Sequence, residues 1–277
     1  MSELPENTSV IEPRFDPLTG QPVTVFFHYA LPSVVGMLAA TSAGIIDGIF
    51  IGNYVGAEAL AAVNLAMPAL YILVAVAFML AVGGSVMCGK YIGEGKPEQA
   101  STIFSKTVYA SVGVALLIVI PCLVFLDGLV SALGANDELR AMVRIYLQII
   151  LWAAPMLILG LTLDYFVRVD GRPLLASGAM ISFAVINISF NWLFIVQWGW
   201  GIEGAAWATA LADVGFSLIV LSHFFSRHCH LRLTAVPARF KQGWDEVLHA
   251  AWNGFSEFAN ETSVGLVTLL FNWVLIT

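Results

Sequence analysis

Charge is the scarcest property of this sequence: Asp, Glu, Lys and Arg make up only 11% of its 277 residues, against roughly a quarter in an average soluble domain. Too few charges remain to coat a water-facing surface, which excludes an ordinary soluble enzyme. Basic residues are fewer still, since 12 Lys and Arg against 19 Asp and Glu give a net charge of −7 with no basic stripe. That excludes a nucleic-acid-binding module. Cysteine is also scarce: Cys88, Cys122 and Cys229 have no framework spacing, so no disulfide scaffold is implied. Residues 1–22 lack the basic start and apolar core of a signal peptide.

What is abundant is apolar surface. Hydrophobic residues reach 59%, with 18 Phe and 8 Trp, the reverse of a disordered chain. A helix needs about 20 mostly apolar residues to cross a bilayer core. No Asp, Glu, Lys or Arg occurs between Asp16 and Asp47, Glu58 and Lys90, Lys106 and Asp127, Arg144 and Asp164, or Arg172 and Glu203. A sixth run, Gly204 to Ser226, is interrupted only by Asp213, and a seventh, Val247 to Thr277, carries Glu257 and Glu261. The fold class expected is an all-α integral membrane protein: a six-helix transmembrane bundle plus a seventh helix. Pro32, Pro68, Pro121 and Pro155 inside these runs are tolerated in lipid, where neighbouring helices satisfy the backbone groups they free.

The basic residues set the expected orientation, because Lys and Arg stay on the cytoplasmic side. Arg14 lies in the tail; Lys90, Lys96 and Lys106, then Arg168 and Arg172, then Arg227, Arg232, Arg239 and Lys241 lie in the even loops, while the odd loops hold only Arg140 and Arg144. The expected layout is a cytoplasmic tail over 1–22, a six-helix lobe over 23–226, a cytoplasmic inter-lobe loop over 227–246 and a further helix over 247–277. The localisation expected is the cell (inner) membrane, multi-pass, with a cytoplasmic N-terminus.

That further helix repeats the first. Aligning Phe26–Phe50 with Val247–Phe271, an offset of 221 residues, matches His28 with His249, Ala30 with Ala251, Thr41 with Thr262, Ser42 with Ser263, Gly44 with Gly265 and Phe50 with Phe271. Six intervening helices bring both copies in from the same side, which predicts a parallel repeat about an axis along the membrane normal. The chain stops at Ile276 and Thr277 inside an apolar run, so an incomplete second lobe is expected, with the acids of its first helix lacking partner helices.

Several stretches resemble one family. The run Asp47-Gly-Ile-Phe-Ile-Gly52, then Ala57-Glu-Ala-Leu-Ala-Ala-Val63 with Met67-Pro68, is similar to the first helix and outer loop of multidrug and toxic compound extrusion (MATE) transporters. Gly89-Lys-Tyr-Ile-Gly-Glu-Gly-Lys-Pro-Glu-Gln-Ala100, Leu133-Gly-Ala135, Arg168-Val-Asp-Gly-Arg-Pro173, Asn187 with Asn191, and Gly201-Ile-Glu-Gly-Ala-Ala-Trp-Ala-Thr209 follow in family order. The resemblance covers roughly residues 25 to 277. It implies two six-helix lobes around a cleft that opens to either side, and secondary active antiport of H⁺ or Na⁺ for organic cations and drugs. It implies no catalysis, no cofactor beyond the coupling ion, and no partner other than small organic cations and the lipid bilayer.

Intramembrane acids are the first candidates for chemistry, because a carboxylate in lipid is costly and usually faces a cavity or a partner. Asp47 stands 15 residues after Pro32, where the resemblance places the acid that binds the coupling ion; its span offers no Lys or Arg, which suits reversible protonation. The alternative is a solvated helix-end residue. Asn187 and Asn191, spaced i, i+4, need hydrogen bonds in lipid. They could orient Asp47 or ligate a cation such as Na⁺ through their carbonyl oxygens, or act as polar glue between helices. The resemblance adds Thr209, and Asp213 one turn on, where the family more often has Gln; Asp213 is a candidate for the acid absent at position 191. Glu257 and Glu261 share a helix face, align with Gly36 and Ala40, and fall within about 40° of the Asp47 direction on a helical wheel. They are candidate cleft residues, with a pair at the cytoplasmic mouth as the alternative; one branch of the family carries its Glu nearer position 264. Met37 and Met180 could offer a soft substrate lining or be lipid-facing filler.

Two other readings compete. A lipid-linked oligosaccharide flippase of the same superfamily would want Arg and Lys inside the helices for phosphate, and the uncharged runs offer none; a non-transporting membrane fragment is the blander form. A metal-binding or enzymatic protein would use His223, His228, Cys229 and His230, which read instead as part of a basic topology-setting loop. Asp164 and Arg168, one turn apart, read as an ion pair.

Overall fold

The computed structural model describes residues 20–226, 229–234 and 244–276. The tail with Arg14, the loop residues Arg227, His228, Arg239 and Lys241, and Thr277 lie outside them. Every regular element among the described residues is helical. In chain order these are α1 (Pro22–Phe50), α2 (Ala57–Gly93), α3 (Pro97–Val124), the short α4 (Leu126–Ala132), α5 (Arg140–Val169), α6 (Pro173–Asn191), α7 (Gly201–His223), α8 (Trp244–Asn253) and α9 (Phe255–Ile276). Two wider π-helical turns, Ile51–Val55 and Trp192–Gln197, extend α1 and α6. Among the described residues six helices are long and apolar enough to cross a membrane: Pro22–Val55, Ala57–Gly93, Pro97–Val124, Arg140–Val169, Pro173–Gln197 and Gly201–His223.

Local sequence explains the helix ends on one side of the bundle. Gly95 (φ 71°) and Gly171 (φ 85°) take the left-handed conformation that glycine adopts without a Cβ penalty. Each lets the next amide reach back to close the preceding helix, Lys96 N–H to the Tyr91 carbonyl at 2.8 Å and Arg172 N–H to that of Val167 at 3.0 Å. A proline then opens the next helix, Pro97 or Pro173, where its missing N–H costs nothing. Gly-Lys-Pro and Gly-Arg-Pro are thus one turn used twice.

The interior is built from two apolar clusters. One joins α2, α5 and the start of α7 through residues such as Ala62, Leu73, Leu147, Ile158 and Ala206. The other, nearer the Gly-Arg-Pro turn, joins α3, α5, α6 and α7 around Phe104, Phe166, Ala179 and Val220. α1 packs mainly on α6, and α8 and α9 pack on α2. α1 buries only Gly36 and Ala43 fully, the least burial of the six long spans.

The seventh expected helix is present in two pieces. Residues from Trp244 onward form two helices joined at Gly254, and neither counts among the membrane-length apolar helices. α8 is amphipathic, with Asp245 and Glu246 in its first turn and Val247 and Ala250 buried. α9 carries Glu257, Asn260, Glu261 and Asn272. At the 221-residue offset the break at Asn253-Gly254 corresponds to Pro32-Ser33 in α1, where the helix runs on through its proline.

Gly254 is also where two backbones touch. A Cβ on Gly254 would run into the Met79 carbonyl, and one on Gly83 into the Ala250 carbonyl, so α2 meets the α8–α9 joint through glycine on both sides. Gly84, beside it, leaves room for Thr107 and Phe166. Gly83 and Gly84 are therefore packing residues. Replacing Gly83 or Gly254 by Ala should destabilise the chain by about 1–3 kcal/mol through forced separation of the helices. Gly178→Ala, with nothing within 4 Å of the added carbon, should be neutral or stabilising by up to about 1 kcal/mol. Thermal unfolding of the three variants in detergent checks this, and equal midpoints would overturn it.

Candidate functional site

The last turn of α1 presents Asp47. The amide of Ile51, where the helix widens, is shared between the carbonyls of Asp47 and Gly48. On α6, Asn191 is the final α-helical residue before the second wide turn. Such turns arise where a helix admits an extra residue and recur at functional sites. The two wide turns also contact each other, which brings the ends of α1 and α6 together. No composition or spacing signal marks these turns in the sequence.

A chain of side-chain hydrogen bonds crosses this junction. Asn191 Nδ2 donates to Asp47 Oδ1 at 2.7 Å and to Asn187 Oδ1 at 3.1 Å; Asn187 Nδ2 in turn lies 3.3 Å from Thr209 Oγ1 on α7. Asn187 and Asn191 are buried, while Asp47 and Thr209 are half-buried. Asn191 Oδ1 is buried and accepts no hydrogen bond among the described residues. An amide can accept at its oxygen as well as donate twice, and an unfilled buried acceptor is costly. The arrangement is therefore an oxygen-rich corner with an acceptor to spare, suited to a cation or a proton donor. Among the described residues no Lys, Arg or His forms an ion pair with Asp47.

Asp213 lies one turn beyond Thr209 on α7 and is buried. Tyr146, fully buried on α5, is within electrostatic reach of both Asp47 and Asp213. Nothing in the sequence separates this tyrosine from an ordinary core aromatic. The remaining expected residues fall elsewhere. Glu257 and Glu261 are half-buried on α9, and Tyr165 of α5 is within electrostatic reach of both. Among the described residues no hydrogen bond or ion pair joins them to Asp47. Met37 is 62% exposed on α1. Met180 is engaged: its sulfur packs where Gly36 leaves space and accepts an N–H from Arg168 at 3.6 Å. Arg168 also pairs with Asp164 at 2.9 Å, as their spacing predicts, and donates to Ser33 Oγ of α1 at 2.6 Å.

The multidrug export protein MepA of Staphylococcus aureus (strain MRSA252) is 26% identical over 197 residues, covering 71% of this chain and 44% of MepA. A MOP superfamily transporter from Pyrococcus furiosus, described as having a binding pocket of reverse polarity, superposes with a TM-score of 0.80 at 26% identity over 90% of this chain and 54% of its own. An outward-facing multidrug resistance MATE family transporter does so with a TM-score of 0.80 at 27% identity over the same shares. The chain thus spans about half the length of the relatives it matches. A family model described as MatE covers residues 32–193, more than half of the chain and the segment that carries Asp47, Asn187 and Asn191, and the chain belongs to that family.

Proposed function

We propose that the chain serves secondary active export, exchanging H⁺ or Na⁺ for an organic cation across the cell membrane, with its N-terminus cytoplasmic. The observation that supports this most is the Asp47–Asn191 contact: a membrane-depth carboxylate held by a neutral amide, beside a buried amide oxygen without a donor. One negative charge without a cationic partner makes a place for one positive charge. Sodium would draw on the Asp47 carboxylate, the carbonyl oxygens of Asn187 and Asn191, and the Thr209 hydroxyl; a proton would sit on Asp47 and leave the corner neutral. Either way the attraction for a second cation disappears. Mutual exclusion of ion and drug is then a coupling between two binding equilibria, and it acts equally in both directions.

The movable wall in this reading is α1. Pro32 removes one backbone hydrogen bond from its ladder, and little of the helix is buried. Filling or emptying the Asp47 corner changes how α1 is held to α6 and α7. Asp213 is a second proton acceptor within reach of the same tyrosine. Contact with the drug is assigned to Glu257 and Glu261 on α9 and to Met37; Met180, held by Gly36 and Arg168, contributes instead to the α1–α6 seam.

Two substitutions test the coupling role. Asp47→Asn keeps shape and hydrogen bonding but removes the titratable charge, so drug resistance in exporter-deficient cells should fall to the level of cells lacking the chain. Unchanged resistance at equal expression would overturn the assignment. Asn191→Asp places a second carboxylate against the first. Two acids in contact resist carrying two charges, so the pH dependence of gradient-driven drug uptake into inverted vesicles should shift. An identical profile would reduce Asn191 to helix packing.

A further inference from the structure

At the Gly-Arg-Pro end of the bundle three buried groups of different chemistry converge from three parts of the chain. Asp170 follows α5, His223 ends α7, and Cys229 lies in the segment after α7. One ligand atom from each, a carboxylate oxygen, an imidazole nitrogen and the thiol sulfur, lie within 4.8 Å of one another, and all three residues are buried. His223 Nε2 is 2.6 Å from Asp170 Oδ2. His230, half exposed, brings its Nδ1 to 3.5 Å from Asp170 Oδ1. Spacing along the sequence does not reveal this group, because Asp170 stands more than 50 residues from His223 and only folding joins them. His228, the other histidine of that stretch, lies outside the described residues.

We propose that Asp170, His223 and Cys229 form a zinc site, with His230 closing the fourth position from the solvent side. Four arguments carry it. The donor set mixes nitrogen, sulfur and oxygen, which suits Zn²⁺ and disfavours Mg²⁺ or Ca²⁺, cations that take oxygen ligands. Zinc bonds of about 2.0–2.3 Å put tetrahedral ligands roughly 3.3–3.6 Å apart; the three buried ligand atoms already lie within 4.8 Å of one another, and His230, 3.5 Å from the other Asp170 oxygen, has to swing in to complete the set. The charges balance: one carboxylate and one thiolate neutralise a divalent ion, and a buried site with no net charge avoids the cost of an uncompensated one. Finally, the three ligand atoms are buried together, and the Cys229 thiol, which donates to the Leu231 carbonyl at 2.8 Å, would exchange that bond for the metal, since a coordinating ion deprotonates a thiol outright.

On binding, the Cys229 sulfur gives its lone pair to the metal and its proton to water. His223 ligates through Nε2, so the proton that Nε2 shares with Asp170 Oδ2 moves to Nδ1, and the thiol proton is the one that leaves per zinc bound. The metal fastens the segment after α7 to the α5–α6 turn. That segment is already docked there: Asp170 Oδ1 accepts the His230 and Leu231 amides at 3.1 and 3.2 Å, and Thr234 N–H reaches Ser105 Oγ on α3 at 3.0 Å.

The test uses the tag-free full chain in detergent, stripped with chelator and titrated with Co²⁺ as a spectroscopic stand-in for zinc. The expected result is one equivalent bound, with a sulfur-to-cobalt charge-transfer band and tetrahedral visible bands, both abolished by added Zn²⁺. About one proton should be released per metal in weak buffer at neutral pH. The charge-transfer band should vanish in Cys229→Ser and persist in Cys122→Ser, and His230→Ala should weaken binding by at least about tenfold. A monodisperse parent chain that binds neither ion at micromolar concentration overturns the proposal, as does a charge-transfer band that survives Cys229→Ser. Because the decisive titration is made on the parent chain, the proposal stands or falls even where a variant fails to fold.

Discussion

Asn191 spends both of its N–H groups at once, one on Asp47 of α1 and one on Asn187 of its own helix. That single NH₂ group joins the end of α1 to α6. α1 buries few residues fully but packs along α6, and three side-chain contacts pin it. Near its start Ser33 takes a hydrogen bond from Arg168, in the middle Gly36 admits Met180, and near its end Asp47 meets Asn191. Removing the charge of Asp47 weakens a charge-assisted bond to an ordinary one. On the proposed reading, the span with the least burial is the one whose tether responds to an ion.

Much of this is legible before folding. Uncharged runs delimit six spans because a bilayer penalises every ionised side chain, and the same penalty singles out Asp47. The i, i+4 spacings of Asn187 with Asn191 and of Asp164 with Arg168 are helix geometry, and both pairs are joined as expected. What is not legible depends on distance along the chain or on backbone detail. The contact between the two wide turns needs residues 51–55 and 192–197 to meet. Tyr146 becomes informative only once it lies near two acids. The helical wheel carries Glu257 and Glu261 toward the Asp47 direction by treating the repeat as two straight helices. The break at Gly254 and the packing of α9 on α2 give that pair other surroundings, beside Tyr165.

The two acid-centred clusters are built alike but differ in what they leave open. Asp170 accepts two backbone amides and faces an imidazole; its partners are numerous and buried, which makes it an anchor. Asp47 has one amide partner, and that partner's own oxygen is unfilled. A carboxylate bound to backbone amides fixes a loop in place and, on the proposed reading, exchanges its imidazole contact for a shared metal. One with a single amide partner keeps an exchangeable position.

α7 connects these clusters, carrying Thr209 toward the Asp47 corner and His223 into the Asp170 cluster, 14 residues or roughly 21 Å apart along the helix. It is held tightly between them. Ser217 Oγ donates to the Met156 carbonyl of α5, and a Cβ on Gly160 would collide with that same serine. The α5–α7 pair is therefore close-packed through small residues, and such contacts resist sliding because any shift meets backbone rather than flexible side chains. On the proposed reading, motion driven by an ion is carried by the element on the other side of the site: α5 and α7 are the fixed reference, Thr209 and Asn187 hold the amide oxygens in place, and α1, which carries Pro32 within it and is tethered through Asp47, moves against them.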